Sequence, residues 1–112
     1  NHAMAHSNLG NILRELGNLQ EAELSLRKAI EIKPDFAEAH YNLGTTLRYL
    51  KNLDNAISSY YTASELGMDY NQCQAGIGKI LLEKGNHAEG LIKIKEGQGI
   101  IQFNMKKGLS FN

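Results

Sequence analysis

Apolar residues recur along this chain at the spacing of a helix. Leu9, Ile12, Leu13 and Leu16 stand at i, i+3, i+4 and i+7, one stripe on a helical cylinder. Gly17-Asn18 then supplies a helix stop. Leu19, Ala22, Leu26, Ala29 and Ile30 form a second stripe, which ends before Pro34 because proline disfavours helix at Lys33. Asp35 is placed to cap the next helix. Leu43, Leu47 and Leu50, followed by Leu53, Ala56, Ile57, Tyr60 and Ala63, repeat the pair. The pattern predicts helices over 3–16, 20–33, 37–50, 54–66, 71–84 and 87–97.

The pairs repeat with a period of 34 residues: 3–36, 37–70 and 71–104 align without gaps. Gly10, Gly44 and Gly78 coincide at this offset, as do Leu9, Leu43 and Ile77, and Leu13, Leu47 and Leu81. Ala22 matches Ala56, Ala29 matches Ala63, and His6 and Asn8 match His40 and Asn42. Small residues mark close approach: Gly10 and Ala22 within a unit, Ala29 and Ala63 against the next unit. Each unit alone leaves an apolar face bare, so units must stack. The fold class expected is all-α, an α-solenoid of three helix-turn-helix units with one concave and one convex face.

Unit three is degenerate. Gly90 and Gly97 replace alanines, each costing about 0.5–1 kcal/mol in a helix interior. The expected division is therefore 1–98 as the repeat domain and 99–112 as a tail or capping segment. In the tail Ile101, Phe103 and Met105 alternate before Lys106-Lys107-Gly108, a weak hairpin signal. These apolar residues are expected to cover the open edge of unit three; pairing with another chain and the start of a truncated domain are the alternatives.

With 42% hydrophobic residues the chain has enough apolar content for a core. Twelve basic and twelve acidic residues cancel, which excludes a strongly basic nucleic-acid surface. The charges are uneven, however: four basic and five acidic residues in 3–36, two and four in 37–70, six and three in 71–112. Such a gradient favours head-to-tail contact or orients a partner, unless it is an ordinary solvated surface. No apolar run is long enough to span a membrane. A single cysteine, Cys73, excludes an internal disulfide and fits a reducing compartment, so a cytoplasmic location is expected. The chain begins Asn1-His2-Ala3 without methionine, as a processed, tagged or excised protein would.

Signals of catalysis are weak or missing. His-Glu-x-x-His, Gly-x4-Gly-Lys-Ser/Thr and Gly-x-Ser-x-Gly do not occur. Gly76-Ile77-Gly78 lacks the third glycine of a dinucleotide loop and falls inside a helix. His6 and His40 lie one unit apart with no evident third ligand, so a packing role is preferred to a metal site. Cys73 has no histidine beside it in sequence and reads as a small buried thiol. No catalytic residue, metal or cofactor is expected.

The repeat resembles the tetratricopeptide family, whose 34-residue pattern is Trp-x2-Leu-Gly-x2-Tyr, then Ala-x3-Phe, then Pro. Unit one offers His6-x2-Leu9-Gly10-x2-Leu13, Ala22-x3-Leu26 and Pro34. Unit two offers His40-x2-Leu43-Gly44-x2-Leu47 and Ala56-x3-Tyr60, with Met68 where proline is usual. The junction Pro34 to Gly44 looks like those of bacterial tandem arrays of this family. The resemblance implies a non-enzymatic scaffold that binds a protein or peptide in a groove lined by the first helix of each unit.

Helical geometry selects the groove candidates on the side opposite the leucine stripe. They are Met4, Ser7, Asn8, Asn11 and Glu15; Glu38, Tyr41, Asn42, Thr45, Arg48 and Tyr49; and Gln72, Ala75, Lys79 and Glu83. Asn8, Asn11, Tyr41, Asn42, Thr45, Arg48, Tyr49 and Lys79 are the expected binding residues. Asn8 and Asn42 are similar to asparagine ladders of glycosyltransferase-linked arrays in the family. An asparagine grips a peptide backbone in either direction, or else ties neighbouring helices together. The family's clamp for chaperone carboxy-terminal peptides fits poorly: Asn11 and Asn42 match, but Ser7 and Gln72 fill lysine slots and Gly76 replaces a basic residue. Two rival readings are a substrate-recruiting array of a larger enzyme, and self-association through unit three and the tail.

Overall fold

The computed structural model describes residues 2–85, 91–94 and 96. Five helices account for most of them: α1 (His2–Glu15), α2 (Leu19–Ile32), α3 (Ala37–Tyr49), α4 (Leu53–Glu65) and α5 (Tyr70–Glu83). Every boundary falls within one residue of the periodicity reading. Of the helix expected over 87–97, residues 91–94 and 96 are helical. Gly90, Gly97 and the hairpin expected in 99–112 lie outside the described residues.

Helix α1 packs on α2 and α3 on α4, α2 then meets α3, and α4 meets α5. Helix α1 also touches α3, and α3 touches α5, so the odd-numbered helices form one layer and the even-numbered helices the other. The chain is an all-α solenoid. Small residues set its spacing as expected: Ala22, Ala29, Ala56 and Ala63 are completely buried. A Cβ on Gly10 would lie 2.6 Å from Leu26 Cγ and 3.3 Å from the Ala22 carbonyl oxygen.

The turns repeat as well. Gly17, Lys51 and Gly85 stand one period apart, and all three have positive φ, of 87°, 66° and 90°. At the first two the following asparagine N–H closes the helix end, Asn18 to the Leu13 carbonyl at 2.8 Å and Asn52 to the Leu47 carbonyl at 2.9 Å. Lysine is the misfit, because its Cβ crowds the carbonyl in the left-handed region.

Helix entry corrects one expectation. Asp35 does not cap α3; Phe36 holds the cap position and the helix has no side-chain cap bond. Instead the His40 ring nitrogen, one turn into α3, donates to the Pro34 carbonyl at 2.9 Å. A carboxylate cap does form one junction later, where Asp69 accepts from the Asn71 and Gln72 amides.

The leucine stripe of unit one is the second correction, except at Leu13, which is half-buried. Leu9, Ile12 and Leu16 are 45%, 53% and 69% exposed, while their equivalents Leu43 and Thr46 are 4% and 0% exposed and Leu50 is half-buried. Helix α3 has α2 against that face, and α1 has no described helix there.

The core comprises Leu26, Leu43, Leu47, Ala56, Tyr60, Ile77, Ile80 and Leu81. Tyr60 joins units two and three. A Cβ on Gly44 of α3 would lie 3.1 Å from its ring, and one on Gly76 of α5 would lie 2.9 Å from Cζ. Gly76 stands one period after Asn42, and Tyr60 one period after Leu26. The asparagine ladder therefore ends at residue 76 for a steric reason: the longer ring fills the space a side chain would need. Burial pushes the Tyr60 phenol above its ordinary pKa.

Gly76→Ala should destabilise the protein by about 1–3 kcal/mol through overpacking. In a Tyr60→Leu background the same change should become neutral or stabilising by up to about 1 kcal/mol, alanine being the better helix former; urea unfolding of the four proteins checks the change of sign. Lys51→Gly should raise stability by roughly 0.5–1 kcal/mol despite loss of an exposed ion pair, read from the urea midpoint. As pH climbs above about 10 the unfolded chain loses the Tyr60 proton before the folded chain does, so stability should fall. Tyr60→Phe should flatten that fall, as comparison of urea midpoints at neutral and alkaline pH will show.

Candidate peptide-binding groove

The layer of α1, α3 and α5 presents equivalent residues in columns. One column holds Asn11, Thr45 and Lys79; its neighbour holds Glu15, Tyr49 and Glu83. Asn11 is half-buried and accepts from Arg14 Nη1 at 3.2 Å. Lys79 is exposed on α5, and Tyr49 is 51% exposed on α3.

Around Thr45 the side chains connect across two units. The Tyr60 hydroxyl lies 2.7 Å from Thr45 Oγ1. Thr45 donates onward to the Tyr41 carbonyl at 3.3 Å, which leaves the phenol as the donor of the first bond. The Tyr41 and Tyr60 rings lie 5.1 Å apart at 59°, a tilted aromatic pair. Arg48 stacks over the Tyr49 ring at 4.9 Å and reaches Glu83 Oε1 of α5 at 3.4 Å. Burial works against the Arg48 charge, and Tyr60, Tyr49 and Glu83 outweigh it, holding the guanidinium above its ordinary pKa. Its Nε is buried and has no partner among the described residues. The structure thus brings together Tyr41, Thr45, Arg48 and Tyr49 of the expected set.

Two groove candidates lie elsewhere. Asn42 is 6% exposed, and its Nδ2 donates to Ser7 Oγ at 3.4 Å; Ser7 itself is completely buried. This pair ties α3 to α1 beneath the surface. Asn8, the equivalent of Asn42, is exposed. The asymmetry is one of position: α1 covers Asn42, and no described helix covers Asn8 in the same way.

Two contributors escaped the sequence reading. Tyr60 was legible only as core and is 1% exposed, yet its hydroxyl bonds Thr45 of the neighbouring layer. A buried tyrosine must find a partner for its polar tip, and that was the available signal. Arg14, with Glu15, Leu19 and Tyr49, lines an open depression where α1 gives way to α2.

Other chemistry is sparse. Cys73 is fully buried, and burial, with Asp69 nearby, pushes its thiol up and keeps it protonated. Among the described residues no three His, Cys, Asp or Glu side chains cluster to hold a metal. Nor is any helix among them long and apolar enough to cross a membrane.

Comparison with known proteins agrees with this architecture. The family described as TPR repeat matches residues 10–48, and the one described as tetratricopeptide repeat matches residues 37–66. No curated protein matches significantly. Among solved structures, that of MamA is 25% identical with a TM-score of 0.78, over 87% of this chain and 57% of that chain. That of YrrB, described as a TPR protein with an unusual peptide-binding site, is 20% identical with a TM-score of 0.76, over 88% of this chain and 50% of that chain. The chain therefore spans little more than half the length of these structures, and the likeness to YrrB is one of fold. The 34-residue register, the alternating helix layers and the matches across units one and two together place the chain in the tetratricopeptide repeat family.

Proposed function

We propose that the protein is a non-enzymatic scaffold that holds a peptide or protein segment against the layer of α1, α3 and α5. The connected cluster of Tyr41, Thr45, Arg48, Tyr60 and Glu83 supports this reading best. These side chains are fixed by one another, so they lose little rotamer freedom when a ligand docks. The Arg48–Glu83 contact is long enough to be exchanged for a ligand group. Tyr49 offers an exposed aromatic anchor beside the guanidinium, the residue types that dominate binding hot spots. Asn8, Asn11 and Lys79 flank the cluster as polar contacts, and Asn42 acts from below by positioning α3 on α1. The peptide-binding site named for YrrB supports the same use of this fold. A cytoplasmic setting belongs to the same reading, with Cys73 kept reduced.

Selection of peptides from a displayed library against the full chain tests the proposal. Ligands recovered on the parent should bind Tyr49→Ala and Arg48→Lys at least about tenfold more weakly by calorimetry, with both variants folded by circular dichroism. Equal affinity for parent and variants would move the site off this layer and overturn the reading.

A further inference from the structure

Arg48 is a deeply set cation with little to hold it. Its side chain is 17% exposed, in the last turn of α3. A guanidinium carries several N–H donors in a fixed fork. Among the described residues Nη1 meets the carboxylate of Glu83 at 3.4 Å, where a charge-assisted bond runs at about 2.7–2.9 Å. Nε meets no acceptor among them. The Tyr49 ring stacks on the group at 4.9 Å, a contact that takes up its face and not its N–H edge. Glu83 is loosely committed in turn. Its Oε2 lies 3.5 Å from Lys51 Nζ, so the carboxylate keeps a cation when Arg48 lets go. Lys79 stands one turn before Glu83 on the same face of α5 and is exposed. Lys84 is engaged by Asp54 of α4. Where α3 and α5 end, Arg48, Lys51 and Lys79 thus face a single carboxylate among the described residues, Glu83. On the other side of Tyr49, Glu15 of α1 is matched by Arg14. This end of the layer is therefore positive although the chain as a whole is neutral.

We infer that the bound peptide presents a carboxylate, which takes the place of Glu83 on Arg48. The inference rests on the groove reading above and adds what the groove selects. The event is an exchange. Glu83 turns to Lys51, and the incoming carboxylate takes the N–H edge of Arg48 with Lys79 close by. A planar carboxylate accepts a pair of parallel N–H bonds from one guanidinium, in place of one long contact. Glu83 is thus an internal stand-in that holds the site until a ligand arrives. A ligand amide or hydroxyl brings no charge with which to displace it, and a ligand lysine meets Arg48 and Lys79 as like charges. The site is separate from the positions of the family's clamp, Ser7, Asn11, Asn42, Gln72 and Gly76. Its carboxylate is supplied by an acidic side chain or by a chain end.

A soluble library of random peptides with free carboxyl termini, affinity-selected on the full chain, tests this. Peptides that bind the parent and lose at least about tenfold on Tyr49→Ala are groove ligands. Each is remade with its acidic residues converted to amides one at a time, and with an amidated C-terminus. One of these changes should weaken binding to the parent at least about tenfold, and the same change should cost less than about twofold on Arg48→Gln. The position of the loss tells a side chain from a chain end. Glu83→Gln should tighten the unmodified peptide about threefold or more. Glu65→Gln, an equal change of charge at the exposed end of α4, should leave affinity within about twofold. Circular dichroism checks that every variant is folded. Groove ligands that tolerate all of these changes would overturn the inference and leave the groove reading standing, as would a Glu83→Gln chain that binds no more tightly than the parent. Recovery of no groove ligand would overturn both.

Discussion

A pair of short amphipathic helices cannot bury its own apolar surface, and the rest of this structure follows from that constraint. The second helix of each pair keeps an apolar edge that only the next pair can cover. Close stacking then requires small residues where helices cross, which is why Ala22, Ala29, Ala56 and Ala63 are completely buried. Once α2 is set on α3, and α4 on α5, the odd-numbered helices come side by side without further instruction. The candidate binding surface is thus a by-product of how the core is closed. Its side chains hang from helices whose positions were settled by burial elsewhere.

Tyr60 shows how core and surface are joined. Its ring fills the contact between two units, pressed against Gly44 and Gly76. Its buried hydroxyl bonds Thr45, and its charge environment includes Arg48. The residue that seals the interface therefore also holds Thr45 and Tyr41 of the candidate surface. One unit earlier the same position is Leu26, which has no polar tip, and the polar link between odd-numbered helices is made by Asn42 and Ser7 instead. The two junctions solve one packing problem in different ways: a short aliphatic with a polar tie beside it, or a long aromatic with a glycine opposite.

The repeat hides a further asymmetry. Identical register positions meet different surroundings according to where their unit stands. Leu9 and Leu43 are equivalent, yet one is largely exposed and the other is core. Asn8 and Asn42 differ in the same sense. A neighbour on one side converts a surface residue into a structural one, so position in the stack decides what a residue is for.

The sequence determined the five helices α1 to α5, their boundaries to within a residue, the period and the family, because each rests on local signals: a 3.6-residue stripe, a glycine stop, a 34-residue recurrence. It also marked the small residues at the crossings, and it placed Tyr41, Thr45, Arg48 and Tyr49 on one face of a helix. Only the tertiary structure decided which of these side chains meet. Spacing along one helix cannot show that Tyr60 of α4 reaches Thr45 of α3, that Arg48 finds Glu83 35 residues away, or that Asn42 turns under the surface to Ser7. Nor can it show that Leu9, Ile12 and Leu16 of the α1 stripe are exposed. Burial is a property of neighbours, and neighbours are set by packing between units, which no single helix encodes.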